Sequence, residues 1–226
     1  MNYVIATSRT WHEPMAERLK EKCGMPFHLI TRKKDLTPER LMELAPRYVF
    51  FPHWSHIIPA DIHNRFECVI FHMTDVPFGR GGSPLQNLIV RGITDTKVTA
   101  LRCAEQVDAG PVYMKRPLPL HGTAEEIYLR AGRVVEEMIE EIVHTEPSPH
   151  PQVGKAVTFR RRRPEESDMC DISDISKLYD HIRMLDADGY PRAFLRSGRF
   201  RLEFSRAVPK DGRLVADVAI TEVSDE

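Results

Sequence analysis

The stretch "VIFHMTDVPFGRGGSPLQNLI", residues 69–89, decides how this chain is read. A run of β-branched and aromatic residues ends on an ionisable His72. Apolar residues at successive positions, rather than alternate ones, are typical of a strand buried on both faces. The segment "RYVFFP" (47–52), a short distance upstream, has the same character. Behind His72 comes a loop that Pro77 stiffens and that Gly79, Gly81 and Gly82 let approach a ligand closely. Ser83 and Pro84 then predict a helix start, with Gln86 three residues past the cap completing a capping box.

Strands buried on both faces need a layer on each side, and the flanking sequence supplies helices for it. "YVIAT" (3–7) and "FHLI" (27–30) read as strands, separated by the helical "EPMAERLKEKC" (13–23), which Gly24 and Pro26 stop. "TPERLMELA" (37–45) predicts a short helix with Thr37 as cap and Pro38 in its first turn. "KVTALRCA" (97–104) and "PVYMKRPL" (111–118) are further strands. "TAEEIYLRAGRVVEEMIEEIV" (123–143) is a long amphipathic helix opened by a Thr123/Glu126 capping box. Alternation of this kind predicts an α/β fold, an open and mostly parallel Rossmann-like sheet over residues 1–145.

The proline-rich "HTEPSPHPQVGK" (144–155) breaks the composition, so 146–158 is expected to be a linker. Residues 159–226 then predict a small α+β domain. It holds one helix, "ISKLYDHIRMLD" (175–186), and strand-like runs at 192–208 and 213–220, whose turns "RSGR" and "PKDGR" favour antiparallel pairing.

Composition narrows the function classes. Lys+Arg 32 against Asp+Glu 33 gives a net charge of -1, without the overall basic signature of a nucleic-acid binder. The four cysteines, Cys23, Cys68, Cys103 and Cys170, are scattered with no C-x-x-C pair. They read as reduced thiols of a cytoplasmic protein. Neither a signal-peptide core nor an apolar run of membrane-spanning length is present. "ATSRTW" after the first strand is not a G-x-G-x-x-G loop, which argues against a nicotinamide cofactor. "HWSH" (53–56) offers two histidines without a third ligand, a poor metal site. "FRRRRPEE" (159–166) reads as a solvated linker, with phosphate contact as the minority reading.

His72 therefore sits at the carboxyl end of a buried strand, where open α/β sheets bind ligands. Asp108, in "EQVDAGP" after the strand 97–104, suits a tight turn and can face His72 if the two strands are neighbours. A carboxylate beside an imidazole favours the imidazolium, which can stabilise an oxyanion, and the pair can pass a proton.

"FHMTDVPFGRGGSP" followed by "VDAGPV" resembles the folate-dependent formyltransferases, through His72, Thr74, Pro77, Arg80, Gly81, Pro84, Asp108 and Gly110. The likeness covers roughly residues 45–140, and the variant "HMTD…GRGGSPLQN" is most similar to the sugar N-formyltransferases and the formylation domains of peptide synthetases. The resemblance implies 10-formyltetrahydrofolate as formyl donor, no metal, and as acceptor the primary amine of a nucleotide-linked amino sugar. It makes His72 the oxyanion stabiliser and Asp108 its charge partner. It places Phe51, His53, Trp54, Arg102 and Val107 at the folate, and Thr74, Arg80 and Gly81 at the acceptor. The family carries an asparagine two residues before its histidine, where this chain has Ile70. Asn87, Ser83, Thr74 or backbone N–H groups of the glycine loop are the candidate substitutes, Asn87 being the catalytic choice. Other acceptors are methionyl-tRNA and a purine-pathway glycinamide; a folate or nucleotide-sugar binding protein without turnover is the non-enzymatic alternative. A homodimer is left open.

Overall fold

The computed structural model describes residues 1–223; the last three residues of the expected tail domain, 224–226, lie outside the described residues. The chain divides into two compact units. The first comprises Met1–Gly81, Thr96–Leu118 and Leu129–Thr158. The second comprises Gly82–Asp95, Pro119–Tyr128 and Phe159–Glu226.

In chain order the first half holds β1 (Asn2–Ala6), α1 (Met15–Cys23), β2 (Phe27–Ile30), α2 (Pro38–Leu44), β3 (Pro46–Phe51), α3 (Ala60–His63), β4 (Cys68–His72), β5 (Phe78–Gly81) and α4 (Pro84–Ile89). Then follow β6 (Asp95–Arg102), β7 (Val112–Pro119), α5 (Ala124–Thr145), β8 (Val157–Phe159), α6 (Ile175–Arg183), β9 (Ala193–Ser197), β10 (Phe200–Lys210) and β11 (Arg213–Glu222). Six strands form the main sheet in the order β2-β1-β3-β4-β6-β7. The pairs β1/β2, β1/β3 and β3/β4 are parallel, as the alternation of strands and helices predicts.

Local chemistry accounts for the helix ends. Gly24 ends α1 in the left-handed region at φ 65, donating its N–H to the Lys20 carbonyl. Thr37 caps α2 by accepting from the Arg40 N–H, with Pro38 in the first turn. The Thr123/Glu126 capping box is present in both directions: Glu126 N–H donates to Thr123 Oγ1 at 3.3 Å, and Thr123 N–H donates to Glu126 Oε2 at 2.7 Å. Along α5, Ile127, Ala131, Val135, Met138 and Ile142 are all buried, and their spacing of three and four makes one apolar stripe. Tyr3, Phe50 and Phe51 in the neighbouring strands are fully enclosed. Each such side chain contributes about 1.5–3 kcal/mol relative to exposure.

Two expectations need correction, and the expected linker has contacts of its own. Ser83 does not open α4 as a capping-box residue: it sits in the left-handed region at φ 47 with no side-chain cap bond, and its Oγ accepts the Arg162 N–H instead. Gln86, its supposed partner, is buried and donates through Nε2 to Tyr128 Oη and the Met184 carbonyl. Next, β6 runs antiparallel to β4, with Val69 opposite Arg102 and His72 opposite Thr99. The carboxyl end of β6 is therefore level with the start of β4, not with His72. Residues 146–158, the expected linker, are tied to the fold at two points. Val112 and His150 form an antiparallel bridge with hydrogen bonds in both directions, and Val157 N–H donates to the Pro77 carbonyl.

The second unit gathers α4 and the start of α5 with the tail. Gly82 N–H donates to the Phe159 carbonyl, and Arg183 Nη1 donates to the carbonyls of Leu120 and Gly122. The tail itself is α6 and an antiparallel sheet in the order β11-β10-β9. In the arginine run, Arg160 pairs with Glu166 and Arg162 Nη2 donates to the Glu166 carbonyl. Among the described residues no helix is long and apolar enough to cross a membrane.

Candidate active site

His72 ends β4 with its side chain nearly enclosed, and Asp108 lies beside it in the loop between β6 and β7. The ring Nδ1 stands 3.5 Å from Asp108 Oδ2. Because β6 is antiparallel to β4, Asp108 reaches the histidine through the path of the 103–111 loop rather than by sharing a strand edge with it. The turn is tight. Asp108 has φ 53, and a Cβ on Gly110 would stand 1.8 Å from the Arg102 carbonyl oxygen, so only glycine fits there.

The glycine loop closes over the pair from the other side. His72 Nε2 lies 2.7 Å from the Gly79 carbonyl oxygen. A carbonyl only accepts, so Nε2 carries a proton and the ring is anchored through it. Thr74 Oγ1 donates to the same Gly79 oxygen at 3.2 Å, while the Thr74 carbonyl accepts from Thr99 Oγ1 at 2.7 Å. Gly81, at φ 98, aims its N–H at Asp108 Oδ2, 2.9 Å away. One carboxylate oxygen thus faces both a backbone N–H and the imidazole. At 3.5 Å the imidazole contact is longer than the 2.7–2.9 Å of a tight charge-assisted bond. A ring protonated on both nitrogens satisfies the Gly79 carbonyl and the Asp108 carboxylate together, and Nδ1–H can be redirected to a reacting atom between them.

Nearby charges are held in place by lysines. Burial opposes the charge of Asp75, but the ammonium groups of Lys115 (2.5 Å) and Lys97 (2.9 Å) outweigh it and keep its pKa below the usual carboxylate range. The Cys103 thiol is pushed up to about 11, by burial first and then by the charge of Asp108.

The structure brings His72, Asp108, Thr74, Arg80 and Gly81 together, though not all in the expected employment. Arg80 donates through Nε and Nη2 to Gln152 Oε1, and Thr74 braces the loop backbone. Asn87 spends its amide on backbone: Nδ2 lies within donating distance of the Gly82, Ser83 and Arg160 carbonyls, and Oδ1 accepts from Arg91. Ile70 packs against the apolar cluster that includes Phe51 and Val49, so no side-chain donor occupies that position. Phe51 is 1% exposed in that cluster, with Trp54 packed against it edge-on at a ring separation of 5.9 Å. His53 lies beyond the end of β3 with Trp11 and His12, at ring separations of 5.8 and 6.2 Å. Burial and the neighbouring Arg9 and His12 lower its pKa to about 3. Arg102 pairs with Glu67 at 2.9 Å, and Val107, beside Asp108, is 54% exposed. Gln152 had no sequence signal, since its partners Asp108 and Arg80 lie 44 and 72 residues away.

The fold that carries this pair is shared with solved formyltransferases. The methionyl-tRNA formyltransferase from Clostridium thermocellum superposes with a TM-score of 0.96 at 49% identity, over 98% of this chain and 99% of that one. A sugar N-formyltransferase from Shewanella has a TM-score of 0.69 at 15% identity, over 100% and 99% of the two chains, which is a likeness of fold. A family profile described as the methionyl-tRNA formyltransferase C-terminal domain matches residues 164–221. The chain belongs to the formyltransferase family. The methionyl-tRNA formyltransferase of Halorhodospira halophila is 27% identical over 154 residues, 65% of this chain and 50% of that protein. The chain spans about half the length of the curated relatives it matches. The branch singled out by the "HMTD…GRGGSPLQN" motif is corrected by these figures: the sugar enzyme is the more distant of the two solved relatives.

Proposed function

We propose that this chain transfers the formyl group of 10-formyltetrahydrofolate to the amine of methionyl-tRNA. The transfer chemistry rests on one observation, the Asp108 carboxylate oxygen set between Gly81 N–H and His72 Nδ1. The acceptor rests on 49% identity to a protein named methionyl-tRNA formyltransferase along its whole length.

When bound, the donor supplies a formyl carbonyl whose C–N bond breaks as the amine nitrogen takes over the carbon. The chain's own residues handle the charge and the proton. His72, anchored through Nε2 on Gly79, directs Nδ1–H to the oxygen on which negative charge grows. Asp108 Oδ2 accepts the proton that the attacking amine loses, directly or through one water, and gives it to the departing donor nitrogen as the C–N bond breaks. Gly81 N–H holds that oxygen in place meanwhile. With Ile70 in the strand and Asn87 committed to backbone carbonyls, the imidazole is the oxyanion donor of the site. A heteroaromatic donor has a fitting partner at the end of β3: Trp54 Nε1 is buried and has no hydrogen-bond partner among the described residues. Phe51, His53, Arg102 and Val107 remain the proposed surroundings of the folate.

The test is transfer of labelled formyl from 10-formyltetrahydrofolate by the full chain to a panel of methionyl-tRNA, nucleotide-linked amino sugars and a glycinamide ribonucleotide. Label on methionyl-tRNA, lost in His72→Ala, is the expected result. Label on an amino sugar instead keeps the chemistry and replaces the acceptor, the outcome favoured by the motif around Arg80. Folate binding with no labelled acceptor overturns the enzyme reading.

A further inference from the structure

We infer that Gln152 is a positioning residue for formyl transfer, acting through Asp108; this rests on the reading of His72 and Asp108 as the transferring pair. Its carboxamide is used completely. Nε2 donates to the carbonyls of Asp108 and Gly110, each at 2.8 Å, and Oε1 accepts from Arg80 Nε at 3.1 Å and Nη2 at 2.8 Å. One side chain therefore grips both backbone carbonyls flanking Ala109 and, with its other end, the guanidinium of the glycine loop.

These bonds close a ring that includes the Asp108 carboxylate. Arg80 precedes Gly81, whose N–H donates to Asp108 Oδ2, and the Asp108 carbonyl returns to Gln152. Gln152 thus sets the distance between the two ends of the Gly81–Asp108 hydrogen bond. Asp108 sits at φ 53, in the left-handed region, and such a brace helps hold it there. Gln152 is itself held: the Val112–His150 bridge fixes the chain two residues before it, with bonds of 2.7 and 2.9 Å. A carboxylate released from this ring would leave the 3.5 Å contact with Nδ1 to chance, and misplacement by about 1 Å costs on the order of a hundredfold in rate.

The experiment compares wild type, Gln152→Leu, Gln152→Glu and Asp108→Asn in the full chain. Gln152→Leu removes all four bonds at similar size; Gln152→Glu keeps an acceptor for Arg80 and loses both donors. Should Gln152→Leu fail to fold, Gln152→Glu carries the same readings. The expected result is a fall in kcat of about tenfold to a hundredfold, with KM for the donor changed less than about twofold. The His72 ring nitrogen NMR signals should move in the direction seen in Asp108→Asn, with Gln152→Glu nearer wild type than Gln152→Leu. Wild-type kcat with unmoved His72 signals overturns the assignment, as does a loss of rate that follows the loss of folded protein. If wild type transfers formyl to no acceptor, that counts against the proposed function, and the ring signals alone decide for or against Gln152.

Discussion

Asp108 Oδ2 stands 3.5 Å from His72 Nδ1 and 2.9 Å from the Gly81 nitrogen, so one oxygen atom joins the strand-end histidine, the glycine loop and the 103–111 loop. His72 Nε2 and Thr74 Oγ1 both hold the loop through the Gly79 carbonyl. The site is thus built mostly from backbone, and substitutions that move backbone should be felt in turnover.

Gly110→Ala is the sharpest such change. Its Cβ would stand 1.8 Å from the Arg102 carbonyl oxygen, a backbone atom that cannot yield without displacing the end of β6. The turn carrying Asp108 has to shift, and the expected cost is on the order of 1–3 kcal/mol in stability. Turnover should fall further than the loss of folded protein explains. Chemical denaturation alongside initial rates checks this; unchanged values of both would mean that the turn is looser than described.

Asn87→Ala should act on stability. It strips a buried donor from the Gly82, Ser83 and Arg160 carbonyls and the acceptor from Arg91. The expected loss is about 1–3 kcal/mol, read as a lower thermal midpoint. A rate loss of a hundredfold in a variant with the wild-type midpoint would restore Asn87 to the chemistry.

Acid should destabilise the fold in a window set by two histidines. Burial lowers His12 to about 4 and His53 to about 3, from an ordinary value of 6.5. Above about pH 6.5 both states are neutral and nothing is lost. As pH falls toward 4 the unfolded chain takes up protons that the folded chain refuses, so stability declines, by on the order of 3 kcal/mol for His12. Carboxylates held low, such as Asp75 and Glu136, contribute only from their ordinary values of 3.8 and 4.5 downward. Urea midpoints between pH 7.5 and 4.5 measure the slope. His53→Asn, a residue that tolerates φ 53, should flatten it; an unaltered slope would show that His53 titrates normally.

The sequence displays what is local. Thr37 with Pro38, Gly24, and Thr123 with Glu126 each act within one helical turn, and the structure has all three. The unbroken apolar runs of β3 and β4 announce burial on both faces, and the two strands pair in parallel. Strand direction is not local: "KVTALRCA" carries the same pattern whether it runs up or down, and β6 runs antiparallel. Ser83 and Gln86 have the spacing of a capping box, yet φ 47 at Ser83 and the distant partners Tyr128 and Met184 override it. Asp108 was legible as a turn residue near glycine and proline. Gln152 was hidden in a proline-rich segment, because what gives it meaning is two loops far away in sequence.

The most direct measurement is the single-turnover rate of formyl transfer in wild type and Asp108→Asn, with donor affinity measured in parallel. Asparagine keeps the size and the acceptor for Gly81 N–H but removes the charge and the basic oxygen. A rate lowered by about a hundredfold or more, with donor affinity unchanged, is the expected result. A rate within about twofold of wild type, well below the range for losing a general base, would contradict the account.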